Sequence, residues 1–312
     1  MELRGKKILV TGGRGFLGSH LVRAMHRQGL RESDLRVPSH GELDLKVWEN
    51  CVRAVEGMDV VIHLAARVGG IGYNRKNPGL IFYENLVMGV QLMEAARRAG
   101  VKKFVQVGTV CAYPKVVAVP FREDSLWDGY PEETNAPYGI AKKALLVQAQ
   151  AYRAQYEFNA IYLLPTNLYG PGDNFDPEDS HVIPALIRKC IEAARVSAPE
   201  IVLWGSGTPS REFLYVEDCA EGILLAAERY DAAAPVNLGS AKEIRISELG
   251  RIIADACGYS GTIRWDPSKP DGQPRRYLDT RRASEFGFTA RTAFPDGLQK
   301  TVEWFRSGHA DL

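Results

Sequence analysis

The stretch V-G-T-V-C-A-Y-P-K, at 107–115, sets a hydroxyl (Thr109) two residues from a thiol (Cys111), where the apolar run K-K-F-V-Q-V should be ending as a buried strand. If the strand runs that far, its period of two puts both side chains on one face. Further on, N-A-P-Y-G-I-A-K-K holds Tyr138 and Lys142 four residues apart, hence on one face of a helix. An ammonium beside a phenol lowers the phenol's pKa toward a working range. A tyrosine tuned in this way exchanges a proton with a carbonyl or alcohol oxygen while a hydride moves at the carbon. The Thr109 hydroxyl can hydrogen-bond that same oxygen. A reductase needs only Thr109, Tyr138 and Lys142. Cys111 is surplus to it, and a free cysteine is often a small buried hydrophobe.

A hydride needs a carrier. Thr11 to Gly18 reads T-G-G-R-G-F-L-G, with Gly12, Gly15 and Gly18 in G-x-x-G-x-x-G spacing between a short β-branched strand and an amphipathic helix. Such a turn lets the backbone approach a diphosphate and brings the helix N-terminus, with its free N–H groups, onto the charge. Arg14, Phe16 and Leu17 fill the positions between the glycines. The stretch R-V-P-S-H-G-E-L-D-L after the second strand carries Arg36, Ser39 and His40 and no carboxylate before Glu42. An acid there would bind a free ribose 2′-hydroxyl; cations and hydroxyls suit a 2′-phosphate, so the expected cofactor is NADP(H). Asp44 can accept from an adenine amine or cap the next helix. The remaining expected cofactor contacts are Leu64, Ala65 and Ala66 after a third strand, Pro165, Asn167 and Leu168 after a later one, His181, and Tyr138 and Lys142 themselves.

These groups require a scaffold that gathers strand ends. The pattern supplies one: apolar strands near 7–11, 35–38, 58–66, 102–109 and 160–167 alternate with helices near 16–28, 47–55, 78–99 and 139–156. That alternation predicts an α/β fold, a doubly wound parallel sheet of Rossmann type. Residues 171–214 and 241–312 are less regular and predict a smaller mixed α/β lobe that binds substrate, with 1–170 and about 215–240 forming the dinucleotide domain. P-V-N-L-G is expected to rejoin the main sheet. A net charge of +1 gives no reason to expect nucleic acid or an anionic membrane surface as a partner. Five widely spaced cysteines with no C-x-x-C argue against a disulfide framework or a zinc site. With neither a signal-peptide pattern nor an apolar run approaching a membrane span, the expected location is cytoplasmic. The two long helices carry apolar residues that would suit a homodimer or simply cover the sheet.

The glycine turn, the hydroxyl at the strand end and the Y-x-x-x-K pair together resemble the extended short-chain dehydrogenase/reductase superfamily, with threonine where serine is usual. Longer blocks are similar to the GDP-L-fucose synthase family within it. They are V-G-G-I at 68–71, C-A-Y-P-K at 111–115, P-T-N-L-Y-G-P at 165–171, S-H-V-I-P-A-L-I-R-K at 180–189, W-G-S-G-T-P-S-R-E-F at 204–213 and S-K-P-D-G-Q-P-R-R at 268–276. The resemblance implies epimerisation of GDP-4-keto-6-deoxy-D-mannose at C3 and C5, then NADPH-dependent reduction at C4. It implies that Cys111 and His181 are the acid/base pair of epimerisation, and that Lys189, Trp204 and Arg211 meet the substrate, as do Thr109, Cys111 and Asn167. Lys269 and Arg275 are candidates for the diphosphate; the P-R-R run reads equally as a solvated surface. Residue chemistry alone leaves the base and sugar open, another 4-keto nucleotide sugar included.

Overall fold

Short buried strands, apolar on both faces, demand helices above and below, and the computed structural model has that arrangement. It describes residues 1–308 except 178 and 270. The first half of the chain runs β1 (Ile8–Thr11), α1 (Phe16–Arg27), β2 (Leu35–Arg36), α2 (Trp48–Val55), β3 (Val60–His63), α3 (Ile71–Lys76), α4 (Pro78–Arg98), β4 (Lys103–Val107), α5 (Ala136–Tyr156) and β5 (Ala160–Pro165). The second half runs β6 (Asn167–Tyr169), α6 (Val182–Arg195), β7 (Glu200–Trp204), β8 (Ser210–Tyr215), α7 (Val216–Arg229), β9 (Val236–Leu238), β10 (Glu243–Arg245), α8 (Ile246–Ala256), β11 (Thr262–Asp266), β12 (Arg275–Arg276), α9 (Arg281–Glu285) and α10 (Phe294–Arg306).

Six strands form one parallel sheet in the order β2-β1-β3-β4-β5-β9. The P-V-N-L segment thus rejoins the main sheet as its edge strand β9. Residues alternate between two cores. Val10, Ile62, Val105 and Leu163 pack with α1 and α7, while Leu9, Val61, Phe104 and Ala160 pack with α2 and α4. The chain leaves β1 for β2 on one side, then returns past β1 to β3. This switch point opens a crevice at the carboxyl ends of β1 and β3, where such sheets take ligands.

After Pro165 the chain departs from the main sheet. Strand β6 pairs in parallel with β8, which also holds β10 antiparallel and β12 parallel. A separate parallel pair, β7 and β11, lies with α6, α8 and α10 over a second core containing Ile187, Leu203, Leu249, Ile253, Val302 and Phe305. Two side chains join the sheets at the crossing: the Thr166 hydroxyl and the Asn167 amide both donate to the Glu212 carbonyl, at 3.3 and 2.9 Å.

The strand of the opening motif stops earlier than its apolar run suggests. β4 ends at Val107, and 110–112 form a 3₁₀ turn. Thr109, in extended conformation, caps that turn by accepting the Cys111 N–H on its hydroxyl oxygen at 3.1 Å. Thr109 and Cys111 are therefore neighbours through a cap, not through strand alternation. A hydroxyl two residues before an amide competes with the ladder for that N–H, and here it wins.

Candidate active site

The glycine turn is built by close approach. Gly12 is left-handed (φ +70°), and a Cβ on it would lie 2.7 Å from the Ala65 amide nitrogen. A Cβ on Gly18 would lie 2.1 Å from the Gly12 carbonyl oxygen, so only glycine lets α1 start this close to the turn. The Gly15 N–H donates to Gly12 O at 3.0 Å, and α1 begins with no side-chain cap and no acid in its first turn. Its free N–H groups and the positive end of its dipole face a cavity of about 740 Å³. All six turn residues expected at the cofactor line that cavity, as do Ser39, His40, Leu64, Ala65, Ala66, Pro165, Asn167 and Leu168.

Two residues expected near the adenosine end go elsewhere, Arg36 at the end of β2 and Asp44 beyond it. Arg36 donates to the carbonyls of Arg53, Ala54 and Glu56, closing the C-terminal end of α2, so its guanidinium is spent. Asp44 accepts the Lys46 N–H at 3.0 Å and is absent from the cavity wall, although its neighbours Leu43 and Leu45 line it. Arg14 stays at the cleft and pairs with Glu42 at 3.1 Å, both side chains being exposed. Glu42 also accepts the Ser39 N–H.

At the inner end, α5 approaches the 3₁₀ turn so closely that a Cβ on Gly139 would stand 2.4 Å from the Cys111 carbonyl oxygen. Thr109, Cys111, Tyr138 and Lys142 thus share one wall. Lys142 is buried; its Nζ donates to Val107 O at 3.1 Å and lies 5.9 Å from the Tyr138 ring centroid. Burial lowers its ammonium to about 8. The expected lowering of the Tyr138 phenol is not found. Burial pushes it up, the Cys111 side chain adds to this, and a hydrogen bond with Thr109 offsets only part. The phenol keeps its proton at neutral pH.

His181 enters the same cavity from the head of α6. Its ring is open to the cleft, yet the surrounding walls lower the imidazole, with Asp179 opposing. Asp179 also accepts the Gly70 N–H at 2.6 Å, tying the V-G-G segment to this loop. Reading the sequence missed Asp173, another wall residue, whose carboxyl burial pushes up to about 7 and whose Oδ2 has no hydrogen-bond partner among the described residues. Its setting, G-P-G-D-N between a strand end and His181, was the available signal.

The expected substrate cations divide. Arg211 on β8 lies beside Arg276 on β12 in register, and burial lowers its guanidinium to about 10, with Arg276 adding to the lowering and Cys111 opposing it. Arg276, not Arg275, reaches the thiol: Nη1 to Cys111 Sγ is 3.7 Å. Arg275 turns the other way and makes a two-bond pair with Glu243 at 2.6 and 2.9 Å. Adjacent strand residues face opposite sides, so only one of the two arginines of P-R-R can face Cys111. Lys189 donates to Val202 O at 2.7 Å, and Lys269 sits 5.5 Å over the ring of the exposed Trp204. Lys189, Trp204, Arg211, Lys269 and Arg275 all lie outside the 740 Å³ cavity.

A parallel sheet carrying a glycine turn at its switch point, with a Tyr–Lys pair in the same cavity, defines a dinucleotide-dependent enzyme. The chain belongs to the NAD dependent epimerase/dehydratase family, whose model matches residues 8–239. Within it, the chain is 42% identical to GDP-L-fucose synthase of Sinorhizobium fredii, over 99% of this chain and 98% of that one. It is 40% identical to GDP-L-fucose synthase 1 of Arabidopsis thaliana, over 98% and 94%. A GDP-L-fucose synthetase from Naegleria fowleri, solved bound to NADP, superposes with a TM-score of 0.87 at 27% identity, covering 98% of this chain and 95% of that one.

Proposed function

We propose that this protein makes GDP-L-fucose from GDP-4-keto-6-deoxy-D-mannose, by epimerisation at C3 and C5 followed by NADPH-dependent reduction at C4. The observation that carries the reading is the meeting of Thr109, Cys111, Tyr138, Lys142 and His181 on one cavity with the glycine turn. Full-length similarity to GDP-L-fucose synthases supports it.

The residues fit the cofactor. The uncapped start of α1 suits the diphosphate, and Arg14, Ser39 and His40 gather where a 2′-phosphate would be recognised. When bound, NADPH supplies the hydride for C4. The chain does the rest. Thr109 and Tyr138 hold the C4 oxygen, so that the carbanion left by removing a proton from C3 or C5 is a hydrogen-bonded enolate. Neutral His181 and the Cys111 side chain exchange protons with those carbons; one removes a proton and the other delivers one to the opposite face, leaving the overall proton count unchanged. In the reduction, the high phenol of Tyr138 is an advantage: it arrives protonated and gives that proton to O4 as the carbon is reduced. Arg276 reaches Cys111 and Arg211 lies beside it in register, so this arginine pair is the candidate for the sugar diphosphate.

A main dinucleotide domain and a smaller substrate lobe complete the reading. So does a homodimer through α4 and α5, which leave Tyr83, Val90, Val147 and Tyr156 exposed. No helix of the described residues is long and apolar enough to cross a membrane, in keeping with a cytoplasmic enzyme. The test is incubation of the protein with GDP-4-keto-6-deoxy-D-mannose in deuterated water, with and without NADPH, followed by NMR of the products. Deuterium at C3 and C5 without NADPH, and GDP-L-fucose with it, is the expected outcome. NADPH oxidation with no ring deuteration would remove Cys111 and His181 from the chemistry.

A further inference from the structure

Strand register places Thr11, His63, Gln106 and Tyr162 side by side across β1, β3, β4 and β5, directly beneath the Tyr138–Lys142 wall. Partners in register share a face of the sheet. The row is polar and buried. Its bonds run one way. His63 Nδ1 and Thr11 Oγ1 are 2.7 Å apart. Thr11 Oγ1 also faces the Ala65 N–H at 3.4 Å as an acceptor, and its hydroxyl hydrogen is free to point at Nδ1. At the other end the Gln106 amide nitrogen donates to Val107 O at 2.9 Å, the same carbonyl that takes the Lys142 ammonium. The Tyr162 hydroxyl donates to the backbone carbonyl of Lys142 at 2.8 Å. Between the two halves stand two buried atoms with no hydrogen-bond partner among the described residues, His63 Nε2 and Gln106 Oε1. They belong to neighbouring residues in register. Gln106 Oε1 can only accept, and Nε2 is a donor in the tautomer whose Nδ1 accepts from Thr11.

We infer that these side chains form one directed row in which His63 carries its proton on Nε2 and gives it, through a single internal water, to Gln106 Oε1. Gln106 is then a positioning residue for Lys142, fixing the carbonyl on which the ammonium rests, and His63 locks the amide of Gln106 in the orientation this requires. Buried polar atoms commonly meet through such water. Burial keeps His63 neutral, as a one-proton ring requires. The inference rests on the role given to Lys142 above.

The test uses the full chain labelled with ¹⁵N-histidine. Long-range proton–nitrogen spectra, assigned with His63→Gln, distinguish the two ring nitrogens. The expected result is a protonated Nε2 and an unprotonated Nδ1 for His63, unchanged from about pH 6 to about pH 9. A proton on Nδ1 overturns the row. In parallel, Gln106→Met keeps the shape and removes both polar atoms. It should lower kcat of the NADPH-dependent reduction by about tenfold and move the alkaline limb of its pH profile, with KM for NADPH changed less than about twofold. An unmoved limb with kcat near that of the parent overturns the positioning role. If that variant does not fold, the tautomer in the parent protein decides. Full activity in Lys142→Met would instead sink the assignment of Lys142 and leave the tautomer result standing.

Discussion

Gly15 and Gly18 sit three residues apart in one turn, yet alanine at each should fail for different reasons. At Gly18 the added Cβ would lie 2.1 Å from Gly12 O and 2.5 Å from Gly13 Cα, both backbone, where about 3.4 Å is ordinary contact. Neither atom can rotate away, so α1 must retreat by more than an ångström from the sheet edge. Overpacking of this kind costs about 1–3 kcal/mol, and a backbone clash belongs at the upper end. At about 2–4 °C of melting temperature per kcal/mol, Gly18→Ala should lose roughly 6–12 °C. At Gly15 the nearest atom is Gly12 O at 3.3 Å and the backbone is extended, so the folded chain accepts a methyl with little strain. Alanine is a poorer N-cap than glycine, which sets the cost at about 1 kcal/mol or less. That methyl, however, occupies the approach of the diphosphate, and NADPH affinity should fall by about tenfold or more. Thermal unfolding followed by tryptophan fluorescence, with NADPH titration on the same samples, measures both quantities. Gly41→Ala, with nothing within 4 Å of its Cβ, is the control. Equal destabilisation by the two alanines, or unchanged NADPH affinity in Gly15→Ala, would refute the account of the turn.

Three further outcomes are expected. Because Lys142 titrates at about 8 in the folded chain, against about 10.4 when unfolded, its buried charge costs stability below pH 8, and this cost fades as pH rises from 8 to about 10. Lys142→Met should therefore abolish reduction yet unfold at higher urea at pH 7, by up to about 3 kcal/mol; a less stable variant counters the argument. Asp173 is raised to about 7, so its contribution to stability is full below about pH 4 and lost as pH rises through 7. The stability gained by Asp173→Asn should grow from pH 5 to pH 8, reaching at most about 4 kcal/mol, and a gain independent of pH would exclude ionisation as its cause. Arg276→Met should slow ring deuteration by about tenfold or more while Arg275→Met stays within about twofold, since only Arg276 touches the thiol. Equal rates in the two variants would show that the contact has no role in proton exchange.

How much of this could be read from the chain varies with the kind of signal. The glycine turn, the alternation of strand and helix and the return of Val236–Leu238 to the main sheet follow from local pattern, because a doubly covered sheet imposes it on every strand. The Tyr138–Lys142 face was legible because helical spacing is rigid. Legibility ended where side chains compete with backbone or with one another. Thr109 drew the Cys111 amide out of the strand, and α2's carbonyls took the Arg36 guanidinium. Glu243 took Arg275, leaving Arg276 for the site. The phenol of Tyr138 was set by how deeply α5 is sunk, and an i,i+4 pair cannot report depth. His63 and Gln106 read as strand residues among others; only register makes them neighbours.

The late arrival of β9 governs how the protein can be made. Residues 166–235, which include β6, α6, β7, β8 and α7, separate β5 from the strand that covers its edge. During synthesis, five strands can pair while β5 presents an open edge on a strand that is buried throughout in the finished fold. Such an edge invites strand addition from another nascent chain until the intervening segment has folded. Closure joins positions far apart in the chain, which makes it slow. The dinucleotide module is therefore not separable at β5: a chain cut there should aggregate through that edge, and transplanting the cofactor site requires carrying the substrate lobe with it.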